Sequence, residues 1–359
     1  MRVLHLLVAG GVGGIEVLMK DFALYSMHDN HFLFAWSGGK IAEEIQKNGS
    51  KVTILNKEKQ GSVYVLKTIL EICKEDKIEV VLVHHEAPLL RGALCLIKVF
   101  FPSIRLISYV HRNAEDMCGY GVEISWIKKL IYNLSFLVSD EIIAISEFVR
   151  ESIINTFCVD KKKVKVIYNG VDIKKYYPVA LKKEKMLNLI YVGRLVEEKG
   201  VQIILNSLAR LSEDIEYHLK IVGDGVYRKE LQKCANQLGI GENVSFLGSR
   251  RDVAELLQMS DVFIHVPMVD EGFGITVIEA MACGKICVCS KSGALLEIIQ
   301  EKQNGFFVNK NDIQALCTCL KEIANLTKIE IDSIKKNAIK RANDFSTKNF
   351  VDNLDCLIG

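Results

Sequence analysis

The stretch VPMVDEGFGITVIEAMACGK, Val266 to Lys285, decides how this chain is read. The apolar segment Asp261 to Val266 leads into it and has the character of a parallel strand buried on both faces. Ile275 to Cys283 has helical character, with Gly284 placed as a C-terminal cap. A strand, a glycine-bearing loop and a helix in that order leave the helix's first N–H groups facing the loop, which makes an anion site. Glu271 and Glu279 border it, separated by seven residues. If the whole stretch were helical, Glu279 would lie roughly 80° around the axis from Glu271, off its face. The glycines argue instead for Glu271 on the loop and Glu279 about one turn inside the helix.

Outward from this stretch, apolar runs alternate with helical patterns almost from end to end. The first half offers strands near Val3–Val8, Phe32–Ala35, Val52–Leu55, Val80–His84, Leu106–Val110, Glu141–Ile145 and Val164–Ile167. A second series runs Leu187–Val192, Tyr217–Val222, Val244–Leu247, Asp261–Val266, Ile286–Cys289 and Phe306–Val308. Helical stretches separate them, so both series predict parallel sheets with crossover helices. Between the series the rhythm breaks at Asn169-Gly170-Val171-Asp172, followed by Tyr176-Tyr177-Pro178 and the charged Lys182 to Lys185. The expected organisation is therefore α/β, with two doubly wound Rossmann-like domains facing each other across a cleft. Residues 1–168 form the first, 169–185 a linker, and 186–340 the second. Helical material closes the chain over 341–359. Ligands of such domains bind at the carboxyl ends of the strands.

A length of 359 residues suits two cores better than one. A net charge of +2 gives no basis for nucleic acid as a partner. The 11 cysteines have no repeated spacing, which suits reduced thiols in a cytosol. Met1 to Val8 reads as a first strand running into Gly10-Gly11-Val12-Gly13-Gly14, not as a leader. No apolar run approaches the roughly 18 residues of a membrane span, so a soluble, cytoplasmic chain is expected.

Three constellations carry chemistry. The glycine loop at 10–14 lies between the first strand and first helix, where backbone can approach a phosphate; a tight turn is the other reading. It is not a dinucleotide fingerprint, because the third glycine would fall where Glu16 stands. Gly193 to Gly200 follows the second domain's first strand, and Arg194 and Lys199 could converge there on a diphosphate. The alternative is a solvated loop neutralised by Glu197 and Glu198. His111, with Arg112-Asn113, ends the strand Leu106–Val110; His84, His85 and His265 also lie near strand ends, so position alone does not single it out. Cys283, Cys287 and Cys289 read as core thiols, no Asp-X-Asp pair suits a nucleotide-bound cation, and no metal is expected. Trp126 to Tyr132 mixes aromatic, basic and apolar residues, which fits core packing or shallow contact with an anionic membrane surface.

In this order and spacing the pieces resemble the retaining glycosyltransferases of family 4, of GT-B architecture, over essentially the whole length. The resemblance is carried by the glycine loop, His111, Ile145-Ser146-Glu147, Ile167 to Asp172, Val192-Gly193-Arg194-Leu195 with Lys199-Gly200, Val222 to Gly225, Val244 to Gly248 and the two glutamates. It implies that Arg194 and Lys199 neutralise the diphosphate of a nucleotide-sugar donor, UDP-linked by expectation. It implies that Glu279 accepts hydrogen bonds from the ribose and that Glu271 holds the transferred sugar. Backbone around Phe273, Gly274 and Ile275 would bind sugar and phosphate, and backbone near Ser245 and Phe246 would meet the nucleobase. Gly13 and Gly14 would close over the diphosphate, and His111 would contact the donor sugar. No cofactor is implied beyond the nucleotide-sugar co-substrate. The acceptor would be a saccharide or lipid-linked saccharide in surface glycan synthesis, and the last helix, near Thr347–Leu357, would cross back to the first domain. Pro267-Met268 and Arg112-Asn113 depart from the commoner pattern and leave the donor sugar open. An epimerase or hydrolase on the same architecture, or a non-catalytic nucleotide-sugar-binding subunit, are the alternatives.

Overall fold

The computed structural model describes residues 1–11, 13–118, 125–179, 186–211 and 215–359. Val12 of the glycine loop, residues 119–124 and Lys182 to Lys185 lie outside them. The chain divides into two compact units, Met1–Gly170 with Thr347–Gly359, and Val171–Ser346.

The first unit holds strands β1 Arg2–Ala9, β2 Asp29–Ser37, β3 Lys51–Ile54, β4 Val80–Val83, β5 Arg105–Val110, β6 Glu141–Ala144 and β7 Val164–Val166. Its helices are α1 Gly14–Tyr25, α2 Lys40–Lys47, α3 Lys57–Glu75, α4 Pro88–Phe100, α5 Ala114–Cys118, α6 Trp126–Val138 and α7 Glu147–Thr156. The sheet order is β3-β2-β1-β4-β5-β6-β7, and every pairing is parallel. β1 sits between β2 and β4, with His5 opposite Phe32 on one side and Leu82 on the other. All four residues of β4, VVLV, are buried, as a strand covered on both faces requires.

The second unit holds β8 Leu187–Val192, β9 Tyr217–Val222, β10 Val244–Gly248, β11 Val262–His265, β12 Ile286–Ser290 and β13 Phe306–Val308. Its helices are α8 Val201–Leu208, α9 Arg228–Gln237, α10 Val253–Gln258, α11 Ile275–Ala282, α12 Leu295–Ile298, α13 Ile313–Ala324 and α14 Lys328–Asp344. The order β10-β9-β8-β11-β12-β13 is again all parallel. In each sheet the strand order reverses beside the first strand, at β1/β4 and β8/β11. These reversals open crevices at the strands' carboxyl ends, which is where the glycine loop, the Gly193–Gly200 loop and the Glu271 loop lie.

The two α/β sheets are the expected fold class. The short helices α2, α5 and α12 were not expected. Ile41, Ala42 and Ile45 are the buried face of α2, too short a pattern to stand out in a chain this apolar. Residues 171–179, expected within a linker, belong to the second unit, where Tyr176 is buried and the Val171 N–H donates to the Phe345 carbonyl at 2.9 Å. The last helix, α15 Thr347–Ile358, belongs to the first unit. Asp355 accepts from the Ser26 hydroxyl at 2.7 Å and the Met27 N–H at 3.0 Å, and Arg105 donates to the Ile358 carbonyl at 3.0 Å. Among the described residues no helix is long and apolar enough to cross a membrane.

Candidate functional site

In the second unit the loops after β8 and β11 are locked together by their backbones. The Met268 N–H donates to the Glu198 carbonyl at 2.8 Å. Gly200 has φ +74°, and a Cβ there would lie 2.1 Å from the Val266 carbonyl oxygen, so the turn admits no side chain. This close approach sets Lys199 against Glu271. The Lys199 ammonium donates to Glu271 Oε2 at 2.8 Å, and His265 Nε2, at the end of β11, donates to the same oxygen at 3.1 Å. Burial pushes the Glu271 carboxyl up, but the His265 hydrogen bond and the Lys199 charge outweigh it and hold the group well below the usual carboxylate range. Glu271 is thus a fixed anion. Its own carbonyl accepts from the Ala294 N–H at 2.9 Å, which anchors the loop.

Arg194, five residues before Lys199, is exposed and makes no ion pair with any described residue. Its carbonyl, not its guanidinium, is held: the Tyr191 hydroxyl donates to it at 3.0 Å. The loop therefore presents one committed cation and one uncommitted one.

Helix α11 has Gly274 as its N-cap, so no side chain caps its first amides. Phe273, just before it, is buried edge-on to Phe345, ring centroids 5.8 Å apart. The helix ends in a Schellman turn, with Lys285 N–H on the Ala280 carbonyl at 3.0 Å and Gly284 N–H on that of Met281 at 2.9 Å; Gly284 takes the left-handed φ of +68° that this turn demands. Glu279 is the fifth residue of α11, one turn in. Burial pushes its carboxyl up to about 7, while a hydrogen bond from the Tyr176 hydroxyl and the Lys175 charge pull the other way. The two glutamates therefore differ in charge state near neutral pH. Cys283, Cys287 and Cys289 are buried free thiols in the core beneath α11.

Ser245 and Phe246 lie on β10, at the edge of the sheet and two strands from β8. The Ser245 hydroxyl shares a 2.9 Å hydrogen bond with His218 Nε2, and the Phe246 carbonyl accepts from Arg228 at 3.3 Å.

In the first unit, Gly13 is the extended N-cap residue of α1 and Gly14 its first residue. Across the β1/β4 crevice, His85 Nε2 lies 3.3 Å from Glu16 Oε1. His111 follows β5, buried, its ring stacked on Tyr109 at 4.2 Å and tilted against His84 at 5.7 Å. Burial, with the nearby His85, Arg91 and Arg112, lowers its pKa well below the ordinary value, so the imidazole is neutral. His5 joins this row, its Nδ1 3.0 Å from His84 Nε2 and its Nε2 2.9 Å from Asn30 Oδ1.

Of the expected residues, the second unit brings Lys199 and Glu271 into contact, with Arg194 on the same loop and Glu279 on the adjoining helix. Gly13, Gly14 and His111 are in the other unit. His265, Tyr176 and Arg91 were not singled out. His265 has a legible signal, as the last residue of the strand before Glu271. Tyr176 and Arg91 had none, since only folding brings them to Glu279 and the histidines.

A doubly wound pair of parallel sheets, with cations and carboxylates at the second switch point, defines the GT-B class. The chain belongs to the family 4 glycosyltransferases: residues 172–341 match the family described as glycosyl transferases group 1, and residues 12–175 match glycosyltransferase family 4. An uncharacterized glycosyltransferase of Methanocaldococcus jannaschii is 31% identical over 218 residues, 56% of this chain and 55% of that protein. The N-acetyl-alpha-D-glucosaminyl L-malate synthase of Bacillus anthracis is 26% identical over 253 residues, 67% of this chain and 64% of that protein. These alignments thus span between half and two thirds of the relatives' length. The fold is that of Anabaena HepE, solved in complex with UDP, with a TM-score of 0.86, 21% identity and 100% and 99% of the two chains covered.

Proposed function

We propose that this protein is a retaining, metal-independent hexosyltransferase that moves a sugar from a nucleotide-diphosphate donor, UDP-linked, to a saccharide or lipid-linked saccharide acceptor in surface glycan synthesis. The observation that carries this reading is the Lys199–Glu271–His265 set at the β8/β11 switch point, beside the uncapped α11. Arg194, uncommitted and on the same loop, supplies the second cation. When the acceptor hydroxyl attacks the anomeric carbon, the bond to the diphosphate breaks and negative charge grows on the leaving oxygen. Arg194, Lys199 and the α11 amides stabilise that charge more than the ground state, which lowers the barrier. The leaving diphosphate takes the acceptor's proton. Glu271, held ionised, accepts hydrogen bonds from the sugar's hydroxyls, and Glu279 from the ribose. Phe273, Gly274 and Ile275 offer backbone to sugar and phosphate, Ser245 and Phe246 to the base. In the first unit, Gly13 and Gly14 offer backbone at the start of α1, and His111 is a neutral imidazole. Anabaena HepE was solved with UDP, which supports the choice of nucleotide.

Arg194→Ala and Lys199→Ala are each expected to weaken UDP binding by about 1.5–3 kcal/mol, the range for hydrogen bonds to charged groups. Calorimetric titration with UDP, GDP and ADP checks this, and unchanged affinities in both variants would sink the reading. An epimerase or hydrolase would consume the donor at full rate without an acceptor; a transferase turns it over slowly until one is added. Transfer to any acceptor excludes an idle binding subunit.

Contact with the cytoplasmic face of a membrane belongs to the same proposal. Trp126, Ile127, Leu130, Leu134 and Leu137 are exposed on α6, spaced to share one side of the helix, with Lys128 and Lys129 beside them. Trp126 alone is 74% exposed, so this stripe is not core packing, whereas Tyr132 and Phe136 of the same helix are.

A further inference from the structure

Arg91, the fourth residue of α4, is 0% exposed, and none of its three guanidinium nitrogens has a hydrogen-bond partner among the described residues. The Phe136 ring centroid lies 5.3 Å from its guanidinium carbon. No carboxylate among the described residues lies within ion-pair distance of it. A buried cation with five unsatisfied donors is among the costliest arrangements a core can hold. It is also not alone. Glu86 Oε1, His84 Nδ1, the Tyr109 hydroxyl and His111 Nε2 are buried without partners as well. His84, Tyr109 and His111 are neighbours at 4.2–5.7 Å, and Arg91 is close enough to bias both histidines electrostatically. These residues come from the carboxyl ends of β4 and β5 and from the start of α4, the ligand side of the sheet.

The roles of these atoms can be assigned. His5 Nε2 faces an amide oxygen, Asn30 Oδ1, and so carries its ring's proton there. His5 Nδ1 is then an acceptor and His84 Nε2 the donor to it. His84 Nδ1 is left as a bare acceptor, as is Glu86 Oε1, while Arg91 offers only donors. Internal rearrangement of this set would satisfy some of the polar atoms. Water would satisfy others, but the Glu86 carboxylate acts on Arg91 only through space, so water would leave the guanidinium without a contacting anion. An oxyanion fits that charge, and a planar fork of N–H groups matches carboxylate or phosphate in bidentate fashion. Histidine and carboxylate acceptors beside it suit a hydroxyl carried on the same molecule.

We infer that this unsatisfied cluster in the first unit is an acceptor subsite, and that Arg91 selects an acceptor bearing a carboxylate or phosphate close to a hydroxyl. The inference rests on the transferase reading for the word acceptor; the anion site itself does not.

The test is thermal unfolding of the full chain, saturated with UDP, against rising inorganic phosphate or acetate at constant ionic strength. Wild type is expected to gain about 2–4 °C from the preferred anion, and Arg91→Met to gain nothing. Equal gains in the two proteins, or no gain in wild type from either anion, overturn the inference. Glu86→Gln removes a negative neighbour while keeping Arg91, so its apparent anion affinity should rise several-fold; an unchanged or weaker affinity overturns the inference even if the methionine variant does not fold. Competition by lactate, or by a short prenyl phosphate in detergent, separates a small hydroxy acid from a lipid phosphate as the source of the anion. An Arg194→Ala/Lys199→Ala background, without UDP, keeps the anion response readable. Loss of the UDP response in wild type then counts against the donor reading, and loss of the anion response against Arg91.

Discussion

Glu271 and Glu279 are eight positions apart and the fold gives them opposite surroundings. His265 and Lys199 compensate the burial of Glu271, so it remains charged throughout the physiological range. Glu279 has only the Tyr176 hydroxyl and the Lys175 charge against its burial, and its carboxyl sits near 7 instead of 4.5. The folded protein therefore keeps a proton that the unfolded chain has already released between those values. The stability this contributes is complete below about 4.5 and is lost as pH rises toward 7. Glu279→Gln should flatten that part of the profile and make the unliganded protein more stable than wild type at pH 8, measured by urea unfolding from pH 5 to 8. A variant whose profile matches wild type would mean that Glu279 titrates as it does in the unfolded chain. At this scale the sequence showed that two carboxylates border one helix terminus, but not their charge states. Those depend on Tyr176 and on His265.

Among the elements, the loop from Gly193 to Gly200 and helix α6 make the sharpest predictions. Gly200→Ala places a methyl against the Val266 carbonyl in a left-handed backbone, so a loss of at least about 1–2 kcal/mol is expected from the backbone alone. Because the same turn carries Lys199, UDP affinity should fall with it. Stability lost with UDP affinity intact would show that the β8 and β11 loops are not coupled in this way. On α6, replacing Trp126, Leu130 and Leu137 by serine removes mostly exposed apolar surface, so the fold should be retained. Sedimentation with vesicles containing anionic lipid should drop sharply, and undiminished sedimentation would place the contact elsewhere. Element identities were legible where apolar runs were long: the thirteen strands among the described residues lie where the Val/Ile/Leu runs predict them, within a residue or a few at each end. The short helices were not, because α5 and α12 span five and four residues, too few to display a helical period.

At the scale of the molecule, the chain passes between units twice, at 170–171 and at 346–347. The second passage returns α15 to the first unit, where Phe350, Val351, Leu354 and Ile358 are buried. Removing residues 347–359 exposes that apolar face, at about 1.5–3 kcal/mol for each large side chain. The expected result is loss of amide protection in α1 and β2, with β8 to β13 retaining theirs, read by hydrogen exchange. Uniform loss in both units would show that the cores are not independent.

The sequence by itself determined the alternation of strand and helix, the two-sheet organisation, and the placing of glycines, cations and carboxylates at strand ends. These follow from local periodicity and from backbone conformations that only particular residues adopt. The tertiary structure decided what those residues meet. Lys199 is 72 positions from Glu271, and Tyr176 more than a hundred from Glu279. Arg91 joins His84 and His111 from a different element. Charge state and partnership depend on distance and burial in three dimensions, which no local pattern of residue types encodes.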